Sequence, residues 1–239
     1  MAVSAHDSTQ TRASQPARLP SDTVLLFVLA AALTVFAAVA LLVHWRFTNG
    51  LDRAGIDLLG SAKGSSAAHV AAAFTTLGDA APLLTILIIG GVLVPVHWGG
   101  GWRLLALPAV SAGLGFAAAT GVKQLTARAR PPSAGWADAV SGYSFPSGHA
   151  TSATAGYLVL AVLVSGLMRT ARRRVAVLSA GIAIAFLVGA SRVVLAVHWP
   201  TDVIAGWALG SAVAALTLVA TRDRGAGVPR QPTTYEGGP

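Results

Sequence analysis

An all-α, polytopic membrane protein is the fold this sequence predicts, arranged as a bundle of six transmembrane helices. Three observations carry that reading. Hydrophobic residues make up 54% of the 239 and charged residues only 11%, whereas a soluble domain carries about 25% charged residues. The apolar residues gather in long runs, and a helix of about 20 such residues crosses a hydrocarbon core of about 30 Å. Within the runs no polar face recurs with a helical period and no polar position alternates, so neither a soluble amphipathic helix nor a barrel strand fits.

The elements follow in order. Residues 1–23 are polar, rich in Ser, Thr and Gln, and are expected to form a disordered tail. A cleaved signal peptide is disfavoured, because its apolar region spans about 7–15 residues and Val24–Trp45 is longer and uncharged. That run is the first span. The connection from Phe47 to Leu77 is the longest in the first half, and Ala67–Leu77 within it is expected to form a short interfacial helix. The second span, Ala80–His97, carries Pro82 and Pro95 near its ends. Leu104–Val122, Ala150–Met168, Val175–Ser191 and Val203–Ala220 complete the six. Thr221–Pro239, with Arg222, Arg224, Arg230 and three prolines, forms the second tail. One domain, residues 24–220, is thus expected between tails 1–23 and 221–239, with no internal repeat.

Cysteine is absent, which excludes disulfides, thiolate metal sites and a cysteine nucleophile. Net charge is +8, from 17 Lys+Arg against 9 Asp+Glu. In a membrane chain this excess reads first as topology, and no nucleic-acid partner is expected. With a cytoplasmic N-terminus, the inner segments hold Arg12, Arg18, Arg103, Arg169, Arg172, Arg173, Arg174, Arg222, Arg224 and Arg230. The outer segments hold Arg46, Arg53, Lys63, Lys123, Arg128, Arg130 and Arg192. The larger inner set, and the Arg172–Arg174 cluster in a short loop, place both termini in the cytoplasm.

Six spans have a geometric consequence. Lys123 ends the third span and Arg128 and Arg130 follow it; His149 opens the fourth; Arg192 ends the fifth; His198 and Asp202 open the sixth. All are therefore expected on the outer face. Polar groups at membrane depth are costly and mark function. Three or four cations, two histidines and one carboxylate suit a multiply charged anion, above all phosphate, whose oxygens match arginine forks. A magnesium or paired-metal centre wants several carboxylates, and only Asp138 and Asp202 are near, so no metal is expected. Phe145-Pro146-Ser147-Gly148-His149 precedes an apolar helix, whose N-terminal N–H groups and dipole favour phosphate. Ser147 caps that helix and offers a hydroxyl, while Gly148 permits close backbone approach. A Ser147-based serine–histidine–aspartate hydrolase is a competing reading, as is a plain helix cap. Pro200 suits the first turn of the last helix, which sets Asp202 within reach of a His198 ring nitrogen. A carboxylate there fixes the tautomer and leaves the opposite nitrogen free to attack.

Lys123-(six residues)-Arg130-Pro131, Pro146-Ser147-Gly148-His149 and Ser191-Arg192-(five residues)-His198-(three residues)-Asp202 together resemble the three-part signature of the type 2 phosphatidic acid phosphatase (PAP2) superfamily. The six-span layout resembles its integral-membrane lipid phosphatase branch over about Val24–Ala220, with the tails and first outer loop outside the signature. The resemblance implies a membrane-embedded phosphatase acting on a lipid phosphate or diphosphate entering from the bilayer, with no cofactor. It implies His198 as the nucleophile that forms a phosphohistidine, Asp202 as its orienting carboxylate and His149 as general acid. It assigns Lys123, Arg130, Arg192, Ser147 and the Gly148 amide to the phosphoryl oxygens. Polyprenyl diphosphate, phosphatidic acid and phosphatidylglycerol phosphate all fit. A lipid phosphotransferase using the same residues, a vanadate-dependent haloperoxidase and a non-enzymatic transporter of anionic lipid are the alternatives; six spans speak against the second and the paired histidines against the third.

The remaining polar and aromatic residues receive plainer readings. Arg128 is expected to face solvent or headgroups. Tyr143 and Trp136 are expected to anchor the interface, and Trp199 to pack near the site. His44, His69 and His97 are taken as interfacial. Asp57 and Asp79 lie where the first outer loop could close onto the site. Gly90-Gly91 and Gly113-x-Gly115 suggest close helix packing.

Overall fold

A computed structural model describes residues 20–60, 64–98, 103–132 and 142–222. The tails beyond those limits lie outside the described residues, as do Lys63, Trp136 and Asp138. Among the described residues there are eight helices and no strand: α1 (Asp22–His44), α2 (Asn49–Leu59), α3 (Ser66–Thr76), α4 (Ala80–Trp98), α5 (Arg103–Thr126), α6 (Gly148–Leu167), α7 (Ala171–Val194) and α8 (Pro200–Arg222). The six apolar runs coincide with α1 and α4–α8. Four helices (α1, α6, α7 and α8) are long and apolar enough by themselves to cross a membrane, and the pair α3–α4, bent by 53° at its break, makes a fifth. The chain is a multi-pass membrane protein, and among the described residues four such spans are reached, or five if the bent pair is one span.

Local chemistry sets the helix starts. Ser21, Ser65, Ser147 and Thr170 each cap a helix with a side-chain oxygen, accepting from Val24 N, Ala68 N, Ala150 N and Arg173 N. Each cap satisfies one of the orphan N–H groups at a helix beginning. Pro200 is the first residue of α8, where its missing N–H costs nothing.

Packing is organised around α6, which is buried along most of its length and touches α4, α5, α7 and α8. Its Val159 and Leu163 join Leu25, Leu107, Ala214 and Leu218 in one apolar cluster. Its Ala153 and Tyr157 join Leu83, Leu87, Ala112 and Val188 in another. In lipid, helices approach through small residues, and three helix faces show this. A Cβ at Gly206 or Gly210 of α8 would fall 2.5–2.9 Å from α6 backbone and side-chain atoms. Gly115 of α5 packs on Ala155, and Gly90 of α4 on Leu160. Gly113 meets nothing within 4 Å, so only one residue of the Gly113-x-Gly115 pair is at a contact. At the opposite extreme, α1 is largely exposed, Leu25 and Ala32 being its buried residues, as suits a helix solvated by lipid.

The connection between α1 and α4 is more structured than the sequence suggested. Besides α3, which lies where the interfacial helix was expected, it contains α2, whose only buried residue is Asp52. Helix α3 is not merely interfacial: its Ala68 and Ala71 pack with Leu195 and Val197 near the end of α7.

Candidate active site

The ends of α5, α6, α7 and α8 and the break between α3 and α4 meet at one end of the bundle. Three features of the backbone bring the residues there together. First, α7 ends in a left-handed residue, Ala196 (φ 50°), and the chain turns back so that Val197 N and His198 N both donate to the Arg192 carbonyl, at 3.1 and 3.2 Å. That turn locks Arg192 and His198 side by side. Second, the Gly206 and Gly210 contacts draw α8 against α6, and Ser147 N donates to the Asp202 carbonyl at 2.9 Å. Third, α5 ends in another left-handed residue, Ala127 (φ 45°). From there Ser144 N donates to Arg128 O and Ser144 Oγ to Ala129 O, so the segment before α6 is tied to the segment after α5.

His198 and Asp202 form the buried centre, 2% and 0% exposed. Arg130 Nη1 lies 3.1 Å from His198 Nε2. A guanidinium can only donate, so Nε2 is the acceptor and its lone pair faces the cation. The ring proton then sits on Nδ1, which donates to Asp202 Oδ2 at a long 3.4 Å. The same carboxylate oxygen accepts from Trp199 N at 2.9 Å. Burial pushes the His198 imidazole well below its ordinary range; the Asp202 hydrogen bond and charge oppose this, and the charges of Arg130 and Arg192 add to it. The ring is therefore neutral at pH 7, with an unprotonated Nε2.

The cations surround this centre. Arg130 also donates to the carbonyls of Gly142, Val197 and Tyr143, and burial holds its guanidinium below the ordinary value, with Asp202 opposing. Lys123 Nζ donates to Tyr143 O at 2.6 Å and to Ser144 O at 3.4 Å, which leaves one of its three donors. Arg192 is 6% exposed; its Nη1 donates to Thr75 Oγ1 at 2.6 Å, and its buried Nε has no partner among the described residues. A buried donor left without an acceptor costs about 1–3 kcal/mol. Ser147 is fully buried as the α6 cap. A Cβ on Gly148 would meet no atom of the described residues within 4 Å. Among the described residues no three His, Asp or Glu side chains gather as a metal would require.

All eight sequence-selected residues thus sit on these converging ends, and Arg130, Arg192 and Lys123 are close enough to act electrostatically on His198 or His149. Three of the partners were not anticipated, and a fourth, Asp79, was expected only as a residue whose loop could close onto the site. His149 has a carboxylate after all: its Nε2 pairs with Asp79 Oδ1 at 2.8 Å, delivered by the α3–α4 break rather than by sequence proximity. Thr75, from the same break, holds Arg192. Asp52, from α2, accepts from Thr201 N and Thr201 Oγ1. Arg128 does not face solvent; its side chain is 13% exposed and pairs with both Asp52 and Asp202. Scarcity was the available signal. With only nine acidic residues in the chain, any Asp beside a span end is a candidate partner for the outer cations. Tyr143 contributes its carbonyl to Lys123 and Arg130 while the residue stays 40% exposed, and Trp199 packs as expected, donating Nε1 to Ala129 O and lying under Arg128.

Comparison with known proteins places this constellation. A family model described as PAP2 superfamily matches residues 104–226, just over half of the chain. An undecaprenyl-diphosphatase of Sulfolobus acidocaldarius is 43% identical over 76 residues, 32% of each chain. Phosphatidylglycerophosphatase B of Bacillus subtilis is 46% identical over 72 residues, 29% of this chain and 35% of its own. In both, the match spans about a third of the curated relative's length. The crystal structure of a transmembrane PAP2-type phosphatidylglycerolphosphate phosphatase from Bacillus subtilis superposes with a TM-score of 0.73 at 27% identity, covering 82% of this chain and 97% of that one.

Proposed function

The chain belongs to the PAP2 superfamily, and from that premise we propose that it is a membrane-embedded phosphatase that hydrolyses a lipid phosphate or diphosphate through a phosphohistidine on His198. The observation that carries this is the state of His198: neutral, its proton directed to Asp202, and its lone pair turned toward the Arg130 guanidinium.

The chemistry follows from those positions. His198 Nε2 attacks phosphorus while the bond to the lipid oxygen breaks, and His149 gives that oxygen a proton. As the ring gains positive charge, Asp202 stabilises it through Nδ1–H. Water then attacks the phosphohistidine, His149 takes its proton, and the P–N bond breaks to release inorganic phosphate. Phosphoryl transfer asks the protein mainly for positioning and charge stabilisation, which Lys123, Arg130 and Arg192 provide with Ser147 and the Gly148 amide. The unpartnered Arg192 Nε gives one specific reason to place an anion there. The names of the relatives favour polyprenyl diphosphate or phosphatidylglycerol phosphate as substrate. We place the site at the outer face with six crossings and both termini cytoplasmic, on the Lys and Arg distribution.

The test is phosphate release by purified protein in detergent from polyprenyl diphosphate, phosphatidic acid and phosphatidylglycerol phosphate, with and without chelator. Release from at least one, insensitive to chelator and lost in a folded His198→Ala variant, is expected. Wild-type turnover that needs a divalent metal, or near-normal activity in His198→Ala, would overturn the mechanism. Phosphoryl transfer to an added alcohol instead of water would favour the transferase reading.

A further inference from the structure

The proposed reaction leaves a tight polar cluster around Asp52, Arg128 and Thr201 without a role. Asp52 is 1% exposed and is the one buried residue of α2, a helix whose Leu51 and Leu58 are largely exposed. A carboxylate so placed is costly unless fully paired. Asp52 is fully paired: Oδ2 accepts from Arg128 Nη2 at 2.5 Å, and Oδ1 from Thr201 N at 3.1 Å and Thr201 Oγ1 at 2.9 Å. The other arm of Arg128 donates to Asp202 Oδ1 at 2.6 Å and to Thr201 Oγ1 at 2.8 Å. Asp202 therefore divides its oxygens. Oδ1 is held by Arg128, while Oδ2 receives Trp199 N and His198 Nδ1–H. A carboxylate anchored at one oxygen cannot rotate about its terminal torsion, so the direction of the other is set. The planar fork of arginine suits this bridge between two carboxylates in a way that a lysine ammonium does not.

We propose that Arg128 and Asp52 are positioning residues, a clamp from α2 that fixes the Asp202 carboxylate and through it the tautomer and aim of His198. The inference rests on the phosphatase reading given above. Neither residue touches the Nε2 side where phosphorus would bind, so the clamp acts on turnover rather than on capture of the anion. It also helps to explain why this loop folds onto the site: the buried Asp52 ties α2 to α8 beside the packing of Ile56 on the cluster that includes Val203. A cavity of about 580 Å³, lined among others by Asp52, Arg128, Ala129 and Trp199, adjoins the clamp and gives small solutes access to the Arg128 position.

The experiment uses the full chain in detergent with Arg128→Ala, Arg128→Lys, Asp52→Asn and the double variant Asp52→Asn/Arg128→Ala. For Arg128→Ala we expect kcat to fall about 10–100-fold, the range of second-layer partners that orient a reacting group. KM and the inhibition constant of inorganic phosphate should stay within about threefold, the signature of an interaction felt in the transition state. The double variant should be no worse than Arg128→Ala, because both changes break one unit. Added guanidinium should restore part of the activity of Arg128→Ala. Nitrogen NMR of labelled histidine, with His198 assigned by its loss in His198→Gln, should show a single Nδ1–H tautomer in wild type and a mixed one in Arg128→Ala or Asp52→Asn. An unchanged kcat, an equal loss of phosphate affinity, additive losses or an unchanged tautomer would overturn the inference. Arg128→Lys, which keeps the charge, decides the case if the alanine variant does not fold. An inactive wild type would instead refute the phosphatase reading, and the tautomer would still decide the clamp.

Discussion

Two glycine-to-alanine substitutions on either side of the same helix start should have opposite consequences. A Cβ at Gly206 would sit 2.8 Å from Ala150 Cβ and 2.9 Å from the Ser147 carbonyl. Ordinary contact begins near 3.4 Å, so α6 and α8 must part by about 3.4 − 2.8 = 0.6 Å. Neither neighbour is a flexible side-chain end that can swing away. Such overpacking costs about 1–3 kcal/mol. The opening falls one helical turn from Asp202 and acts directly on the 2.9 Å bond between Ser147 N and Asp202 O, the link that holds the α6 start, with His149, against the His198 pair. Misplacement by about 1 Å can cost on the order of 10²-fold in rate, so Gly206→Ala should lower kcat roughly tenfold and lower the melting temperature in detergent. Gly148→Ala is the contrast. Its Cβ meets nothing within 4 Å among the described residues, and alanine is the better helix former by about 1 kcal/mol at most. Stability should hold or rise, while KM and phosphate inhibition weaken about tenfold or more, because the methyl group occupies space proposed for the phosphoryl oxygens. Thermal unfolding and phosphate-release kinetics on both variants supply the readout. Wild-type affinity in Gly148→Ala would refute the placement of the anion, and wild-type rate with wild-type melting in Gly206→Ala would refute the claim that helix spacing sets the site.

Three further outcomes are expected. Because burial lowers the His198 pKa, its NMR resonance should show no protonation as pH falls through about 6.5, the ordinary imidazole value. By linkage the folded state then binds fewer protons than the unfolded state below that pH, so this histidine makes the fold less stable as the solution is acidified; a resonance that titrates near 6.5 would contradict it. Asp79→Ala should cut kcat by a factor within the roughly 10²–10⁴ that general acid–base catalysis supplies, with little change in melting temperature, since the Asp79 side chain is 49% exposed and exposed pairs add little stability. Ala196→Gly, which relieves a left-handed non-glycine residue, should raise stability by about 1 kcal/mol, read as a higher melting temperature, unless the added freedom of the unfolded chain cancels it.

What the sequence revealed and what it hid divide along a physical line. Apolar runs report helices directly, so each of the six runs coincides with a helix whose ends lie within a few residues, although four or five membrane-length spans are reached among the described residues. Lys123, Arg130, Arg192, His149, His198 and Asp202 were legible because each is a polar residue at the end of such a run, where burial is expensive and chance placement rare. The spacing of His198 and Asp202 about a proline set the carboxylate within reach of a ring nitrogen, and the structure shows that nitrogen to be Nδ1. Asp52 and Thr75 were not legible, and Asp79 was read only as part of a loop that could close onto the site, because their partners lie 76, 117 and 70 positions away and no periodicity links them. Arg128 was misread for the same reason. Its neighbours in sequence are a loop, and only the fold of α2 shows that a second carboxylate lies opposite Asp202.

That division bears on how the site holds together. Three cations and a neutral histidine crowded at one end of a bundle repel one another, and α5–α8 alone bring a single buried carboxylate, Asp202, to offset them. The structure adds the balancing groups from the first outer loop: Asp52 for Arg128, Asp79 for His149 and the Thr75 hydroxyl for Arg192. Each addition pairs a side chain behind or beside the reacting centre and leaves the Arg192 Nε, one Lys123 donor and the space beside Gly148 unclaimed. The loop outside the signature therefore neutralises the charges that hold the scaffold and leaves uncompensated those that would meet a phosphoryl group. If this is right, moving a carboxylate inward, as in Thr75→Asp, should satisfy the Arg192 guanidinium internally. The variant should fold at least as stably as wild type, yet bind inorganic phosphate at least about tenfold more weakly, since one neutralised phosphate contact is worth about 1.5–3 kcal/mol. Undiminished phosphate inhibition in a stable Thr75→Asp protein would show that Arg192 is a structural cation and not part of an anion site.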